Sequence, residues 1–298
     1  MTFREGARIN PGRVSVGGGG RGPKMAIGGG IGGLVIVVLA LVLGVDPGSL
    51  GIGGVDGGSA SQSTASGTLE GCETGADANN NIDCRIAFTA ESLDQVWAGQ
   101  LPTAGLNYVQ PDVVLFNGGV DTGGCGSASS DVGPFYCPAD STAYFDSTFF
   151  NLLETQYGSS GGPLAQEYVV AHEFGHHLQN LIGDPRRNAR GAGAESASVR
   201  TELQADCFAG IWAYYADKTP APGTNEPMLN PLTDRDIADA LSAAASVGDD
   251  HIQQQSSGRV NPDSWTHGSS AQRQQWFTTG YRTGQISSCD TFAAPDLG

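Results

Sequence analysis

The stretch PLAQEYVVAHEFGHHLQNLI, residues 163–182, decides the fold, because it predicts one long helix that carries three of the chain's five histidines. Pro163 suits the first turn of a helix, and apolar or small residues recur at helical spacing along the stretch. Gly183 followed by Asp184-Pro185 is a typical stop signal. The pattern therefore predicts a helix that ends at about residue 182.

The helix contains the pattern His-Glu-x-x-His at residues 172–176. His172 and His176 are four residues apart, so both imidazoles can lie on one helical face and bind one ion. Glu173 is adjacent and can act as general base for a water that attacks a carbonyl. The alternative is a helix with two surface histidines. The apolar run at 168–171 favours a buried face, where an unpaired histidine pair would be costly.

A catalytic zinc site usually has three protein ligands and one open position for water. A second predicted helix offers the third ligand. Glu202 and Asp206 are again four residues apart. We predict that Glu202 completes the zinc site and that Asp206 accepts a hydrogen bond from a ligating histidine. The alternative is a solvated acidic stripe, although this helix is heavily apolar. Glu195 is a weaker candidate ligand, and His177 points away from the metal face.

His-Glu-x-x-His followed by Glu-x-x-x-Asp on a second helix resembles the gluzincin pattern of metallopeptidases. More closely, the chain resembles the putative neutral zinc metallopeptidase family of bacterial membrane-anchored proteins. The resemblance spans nearly the whole chain, including the basic, glycine-rich leader. The blocks that carry it are GPFYCPAD at 133–140, AHEFGHHLQN at 171–180, ELQADC at 202–207, HGSS at 267–270 and Trp276-Phe277.

The resemblance implies hydrolysis of a peptide bond at one catalytic Zn²⁺, with Glu173 as the general base. Such peptidases often add a donor for the tetrahedral oxyanion. His267 is the candidate donor, ahead of Tyr168 and Tyr144. The alternative is that His267 is a loop residue beside a helix cap. His251 is predicted to be solvated.

Six cysteines, an even number, are typical of a disulfide framework in an oxidising compartment, although six cysteines allow 15 pairings. Proximity favours Cys72 with Cys84 and Cys125 with Cys137, each closing a short loop. That leaves Cys207 with Cys289. A thiolate zinc site is the alternative, but none of the spacings is C-x₂-C or C-x₄-C.

The remaining segments predict an α+β fold in which helices dominate the second half. Residues 112–116 and 142–146 are rich in β-branched and aromatic residues and predict short strands. Capping signals at Thr233 and at Ser269-Ser270 predict two further helices, the second running to Gly280. The resemblance implies a zincin-like arrangement, a small antiparallel or mixed sheet followed by a helical lobe with the zinc site. Zinc peptidases generally place an edge strand before the zinc helix, where 142–146 lies, and an extended substrate could pair with it.

Residues 1–24 carry five basic side chains and one acidic side chain, and residues 27–45 carry no charge. As a helix, that run would be about 28 Å long, close to the thickness of a membrane's hydrocarbon core. We predict a cytoplasmic leader at 1–24, a single-pass signal anchor at 25–45, a flexible Gly/Ser linker at 46–67 and an extracytoplasmic domain at 68–298. A cleaved signal peptide and a buried core helix are the alternatives.

The charge distribution excludes a nucleic-acid partner. The chain has a formal charge of −16, and the part after Val45 has 30 acidic and 10 basic residues. The sequence thus favours a membrane-anchored zinc endopeptidase that acts on a peptide or protein. A non-catalytic envelope protein with a structural zinc and a zinc amidase that acts on cell-wall material are the alternatives.

Overall fold

The computed structural model describes residues 2–17 and 65–298, which form a mixed sheet and a mainly helical lobe. The main sheet has five strands in the order β2-β1-β3-β7-β6. A separate two-stranded sheet pairs β4 with β5. The strands are β1 (Val14–Gly17), β2 (Ala65–Thr68), β3 (Asp112–Phe116), β4 (Gly119–Asp121), β5 (Ser127–Ser129), β6 (Phe135–Cys137) and β7 (Thr142–Asp146).

Helices make up most of the chain after β7, as the sequence predicts. They are α1 (Gly75–Asn80), α2 (Ile82–Gln100), α3 (Thr148–Thr155), α4 (Pro163–Ile182), α5 (Ala197–Ala216), α6 (Asp234–Ser246), α7 (Asp249–Ser257) and α8 (Ser270–Thr283). The predicted helix over 163–182 is confirmed as α4, which ends at Gly183 in the left-handed conformation. The caps at Thr233 and Ser269 are confirmed, although α8 continues past Gly280 to Thr283.

The main sheet separates two apolar clusters, because its side chains alternate between the faces. Val113 and Leu115 of β3 face the large core shared with the helices. Val114 and Phe116 face a smaller cluster beneath β4 and β5. Both faces are therefore covered, and the continuous apolar run of β3 suits its internal position.

Helix α5 lies in the centre of the helical lobe and is buried on most of its surface. Two glycines let α5 and α8 approach closely. A Cβ at Gly280 would lie 1.9 Å from the Cys207 carbonyl oxygen, and one at Gly210 would lie 2.0 Å from the Phe277 carbonyl oxygen. This contact fixes α8, and everything α8 carries, against the centre of the lobe.

The strand at 142–146 is confirmed, but its position at the sheet edge is wrong. β7 pairs in parallel with β3 on one side and antiparallel with β6 on the other, so it is internal. The edge strand on this side of the sheet is β6, in the GPFYCPAD block. Sequence signals miss β6 because three residues are too few to show an alternating pattern.

The leader and linker boundaries also need correction. Residues 2–17, assigned to a cytoplasmic leader, belong to the same folded unit as residues 65–298, since β1 lies between β2 and β3. Strand β2 begins at Ala65, inside the predicted linker. The predicted anchor at 25–45 lies outside the described residues. None of the helices in the described ranges is long and apolar enough to cross a membrane.

The three predicted disulfides are confirmed. Cys72 is bonded to Cys84, Cys125 to Cys137, and Cys207 to Cys289. The first two close short loops near the sheet. The third ties α5 to the C-terminal segment across 82 residues of sequence.

Candidate metal centre

Helices α4 and α5 bring the predicted ligands together at a point where their backbones nearly touch. A Cβ at Gly175 would lie 2.8 Å from both the Cα and the carbonyl oxygen of Ala205. The glycine inside the His-Glu-x-x-His pattern thus lets α5 approach α4 at the level of the histidines. Because His172 and His176 flank Gly175 on α4 and Glu202 precedes Ala205 on α5, all three side chains meet at this crossing.

The three ligand atoms form one compact group. Glu202 Oε2 lies 3.2 Å from His172 Nε2, and Glu202 Oε1 lies 3.6 Å from His176 Nε2. All candidate ligand atoms lie within 4.8 Å of one another, and all three residues are buried. Two imidazoles and one carboxylate are the donor set of a catalytic zinc site that keeps an open position.

The far nitrogen of each histidine is already engaged. His172 Nδ1 lies 2.8 Å from Asp206 Oδ1, as predicted for Asp206. His176 Nδ1 lies 3.0 Å from Gln179 Oε1, and the Gln179 amide nitrogen donates to the Thr201 carbonyl at 2.6 Å. That second bond orients the amide oxygen toward His176. Both imidazoles therefore present Nε2 to Glu202, the orientation that metal-ligating histidines adopt.

The donor set fits a cation. With both Nδ1 atoms donating, two Nε2 lone pairs and a carboxylate face one another in a buried space, an arrangement that only a positive charge stabilises. Burial lowers the pKa of His172 because it disfavours the charged imidazolium. Asp206 and Glu202 outweigh this effect and raise the pKa to about 10. Burial disfavours the Glu202 carboxylate, but His176 and His172 hold its pKa well below the usual range. A metal ion bound between the two Nε2 atoms and the Glu202 carboxylate would supply that positive charge.

Arg273 of α8 is a site residue that the sequence analysis missed. Its Nε and Nη2 donate to Asp206 Oδ2 and Oδ1 at 2.8 and 2.9 Å, and Nη2 also donates to the Tyr168 hydroxyl at 3.1 Å. The Tyr168 hydroxyl donates in turn to Asp206 Oδ1 at 2.5 Å. Burial raises the pKa of Asp206, but Arg273 and His172 outweigh it and lower the pKa overall. Arg273 thus keeps Asp206 ionised and fixed beneath His172.

A cavity of about 90 Å³ lies beside two of the three ligands, His172 and Glu202. His172, Glu173, Glu202, His267 and Arg273 contribute its polar lining. The apolar lining is supplied by residues that are spread along the chain: Pro134, Phe149, Tyr157, Val169, Val247 and Ile252. A reacting group would therefore enter next to the ligands, between a polar side and an apolar wall.

Glu173 and His267 are buried at this cavity. Burial raises the pKa of Glu173, which suits a group that must accept a proton and release it again. His267 Nε2 is buried without a hydrogen-bond partner among the described residues. Its Nδ1 lies 3.0 Å from the Thr266 hydroxyl and 3.5 Å from Asp249 Oδ1, and the Asp249 carboxylate also accepts the His267 backbone N–H at 2.7 Å. His267 is therefore held in place with one ring nitrogen free.

The other residues considered from sequence lie elsewhere. The Tyr144 hydroxyl donates to Asp140, and Glu195 is half exposed and pairs with Arg200. His177 contacts the Tyr136 hydroxyl and the Val109 carbonyl, away from the ligands as expected. The prediction that His251 is solvated is wrong in part, since it is half buried and its Nε2 lies 3.0 Å from the Tyr157 carbonyl.

Comparison with known proteins agrees with this geometry. The family model described as putative neutral zinc metallopeptidase matches residues 2–292. The chain belongs to this family. The match begins at residue 2, so it includes the segment that contains β1.

Two relatives illustrate the extent of this zinc metallopeptidase family. The chain is 58% identical over 261 residues to the uncharacterized protein Rv2575 of Mycobacterium tuberculosis, an alignment that covers 87% of each chain. It is 39% identical over 299 residues to the uncharacterized protein YpfJ of Escherichia coli K12, covering 97% of this chain and 96% of the relative. No solved structure matches the chain.

Proposed function

We propose that this protein is a zinc-dependent peptidase that cleaves internal peptide bonds. One observation carries the proposal: His172, His176 and Glu202 converge at a buried point, and His172 and Glu202 line a partly apolar cavity together with Glu173. The described residues supply three ligands at this point, and His267 is not among them. Three ligands favour a catalytic site over a structural one, which would hold four.

Each residue then has a chemical role. Bound zinc supplies Lewis acidity, which lowers the pKa of water and polarises a carbonyl oxygen. Glu173 accepts the proton of the attacking water and returns it to the leaving amine. His267, with Nε2 free, donates a hydrogen bond to the oxyanion. Asp206 and Gln179 hold the two imidazoles in the orientation that keeps Nε2 available.

The surroundings support a peptide substrate. The apolar wall of the cavity suits an apolar side chain beside the scissile bond, and about 90 Å³ is enough for an aliphatic group. Pro134 lines the cavity and directly precedes the edge strand β6. We therefore propose that an extended substrate pairs with β6 and not with residues 142–146, because the outer edge of β6 faces away from β7.

The decisive experiment compares the full chain with its Glu173→Gln variant. We expect both proteins to bind about one zinc per chain, and only the wild type to cleave fluorogenic peptides with blocked termini. Glu154→Gln, an exposed change on α3, is the matched control and should retain activity. Absence of bound zinc in the wild type, or full activity in Glu173→Gln, would refute the proposal. Cleavage of cell-wall fragments instead of peptides would favour an amidase.

Membrane attachment through residues 25–45 stays a prediction. It concerns residues outside the described ranges, and the proposed chemistry does not depend on it.

A further inference from the structure

The N-terminal segment, defined as residues 2–17, is built into the folded domain. Phe3 is fully buried, and its ring contacts that of Phe88 edge-on at 5.4 Å between centroids. The Arg4 backbone N–H donates to the Met228 carbonyl at 2.9 Å, and the Asn230 N–H donates to the Thr2 carbonyl at 2.7 Å. These contacts join the segment to α2 and to the loop before α6.

Strand β1 completes the main sheet. It runs parallel to β3, with Val14 opposite Val113, and antiparallel to β2, with Ser15 opposite Thr68. Without β1, strands β2 and β3 would have no connection in the sheet. Gly17 and Ala65, the residues that flank 18–64, are themselves Cα partners in the ladder. The chain therefore leaves and re-enters the folded unit at one place.

The basic side chains of the segment have partners in the domain. Arg13 forms an ion pair with Asp94 of α2, whose side chain is 1% exposed. Arg4 Nη1 lies 3.2 Å from Glu226 Oε2. An excess of basic residues before an apolar run normally indicates a cytoplasmic side. Here two of the five basic residues before that run neutralise acidic groups of the domain, so their presence has another physical reason.

The disulfides then fix the compartment. Three disulfides place residues 72–289 in an oxidising environment. A sheet cannot form across a membrane, so β1 must share that compartment with β2 and β3. If residues 27–45 crossed the membrane, the chain would have to cross it again before β2. Residues 46–64 contain Asp46 and Asp56 and have no second apolar run that could make this return crossing.

We propose that the N-terminal segment lies on the same side of the membrane as the zinc domain, so that residues 27–45 do not separate the two. The segment is a docked strand of the domain and not a cytoplasmic leader. This proposal is independent of the proposed peptidase activity.

The test measures the side on which two engineered cysteines lie in the full chain. Glu5→Cys reports on the N-terminal segment and Ser257→Cys on the C-terminal end of α7; both positions are exposed. The six native cysteines are all in disulfides and do not react. Each variant is treated with a membrane-impermeant maleimide in spheroplasts, before and after permeabilisation.

We expect both Glu5→Cys and Ser257→Cys to be labelled in spheroplasts, because the disulfides place the domain in an oxidising compartment. Labelling of both only after permeabilisation would contradict that compartment. Opposite patterns would overturn the proposal and restore the single-pass leader.

A second measurement reports docking directly. In the double variant Ser15→Cys/Thr68→Cys, the two cysteines are opposite each other in antiparallel strands, where Cα atoms lie about 4.5–5.5 Å apart and a disulfide can form. We expect this disulfide in the membrane fraction by mass spectrometry of the full chain. Ser15→Cys/Ser257→Cys is the control pair and should remain unlinked. A Ser15→Cys/Thr68→Cys protein that keeps both thiols free under oxidising conditions would contradict docking.

Discussion

At the scale of single residues, the metal ligands are the most predictable part of the site. The residues that hold those ligands in place are the least predictable part. His172 and His176 follow from helical spacing, because residues four apart share a face. Glu202 follows from the need for a third ligand and from its position on a second helix, four residues before Asp206. Arg273 lies 67 residues after Asp206, and no local pattern links an arginine in a polar helix to a buried carboxylate. Such a partner is found only when the packing of α8 against α5 is known.

We expect substitution of Arg273 to weaken zinc binding. Arg273→Met removes both hydrogen bonds to Asp206 and leaves that carboxylate buried without its counter-charge. The loss should be about 10- to 100-fold in zinc affinity, measured by competition with a chelating dye. Arg273→Lys keeps the charge but not the paired geometry and should fall between Arg273→Met and wild type. Arg282→Met, an exposed change on the same helix, should have no effect.

Glu167 of α4 should make stability depend on pH. Its side chain is fully buried, it accepts a hydrogen bond from the Thr2 hydroxyl, and Arg85 Nε lies 3.9 Å away. Burial raises the pKa of Glu167, and the more distant Asp236 raises it further, while Thr2 and Arg85 lower it. The net effect is a pKa raised from 4.5 to about 8. The folded state therefore binds the proton more tightly than the unfolded state, so stability falls as pH rises from about 4.5 to about 8.

We expect Glu167→Gln to remove this dependence above pH 6. Below that, Asp94 contributes in the same direction, because burial raises its pKa to about 6 despite Arg13 and Tyr108. The check is urea unfolding at several pH values, with the exposed Glu154→Gln variant as control. A slope between pH 6 and 8 that is the same in Glu167→Gln and wild type would disprove the assignment.

At the scale of secondary structure, the helices with complete capping signals and the five-residue strands β3 and β7 are predictable from sequence, whereas the shorter strands β1 and β6 are not. Helix α4 begins with a proline and ends at a glycine, and both signals are visible in the sequence. Strand β1 has only four residues, VSVG, and it is a strand because β2 and β3 flank it. Its partners lie far away in the sequence, so its structure is decided by tertiary contacts.

The contact between α5 and α8 should be intolerant of any side chain at Gly280. A methyl group there would overlap the Cys207 carbonyl oxygen, so we expect Gly280→Ala to cost about 1–3 kcal/mol of stability. Because α8 carries Arg273, zinc affinity should fall as well. Gly99→Ala is the matched control, since α2 has open space at Gly99 and alanine favours a helix. Equal melting temperatures for Gly280→Ala and Gly99→Ala would contradict this account.

At the scale of the whole molecule, the metal centre joins two central helices, so zinc should stabilise the entire fold. A ligand that binds only the folded state adds about 2.7 kcal/mol at 100 times its Kd. We expect a chelator to lower the melting temperature of the oxidised protein by about 5–10 °C, and added zinc to restore it. The Glu202→Ala variant should respond much less. An identical response of wild type and Glu202→Ala would mean that zinc acts at another place.

The position of β1 also has a consequence for biosynthesis. The ribosome makes β1 first, but Val14 must wait for Val113, about 100 residues later, before its parallel partner exists. Until then the nascent chain carries an unpaired strand, a feature that promotes aggregation in slow-folding proteins. The N-terminal residues therefore dock long after they are synthesised. A chaperone that holds the emerging chain would be most valuable during that interval.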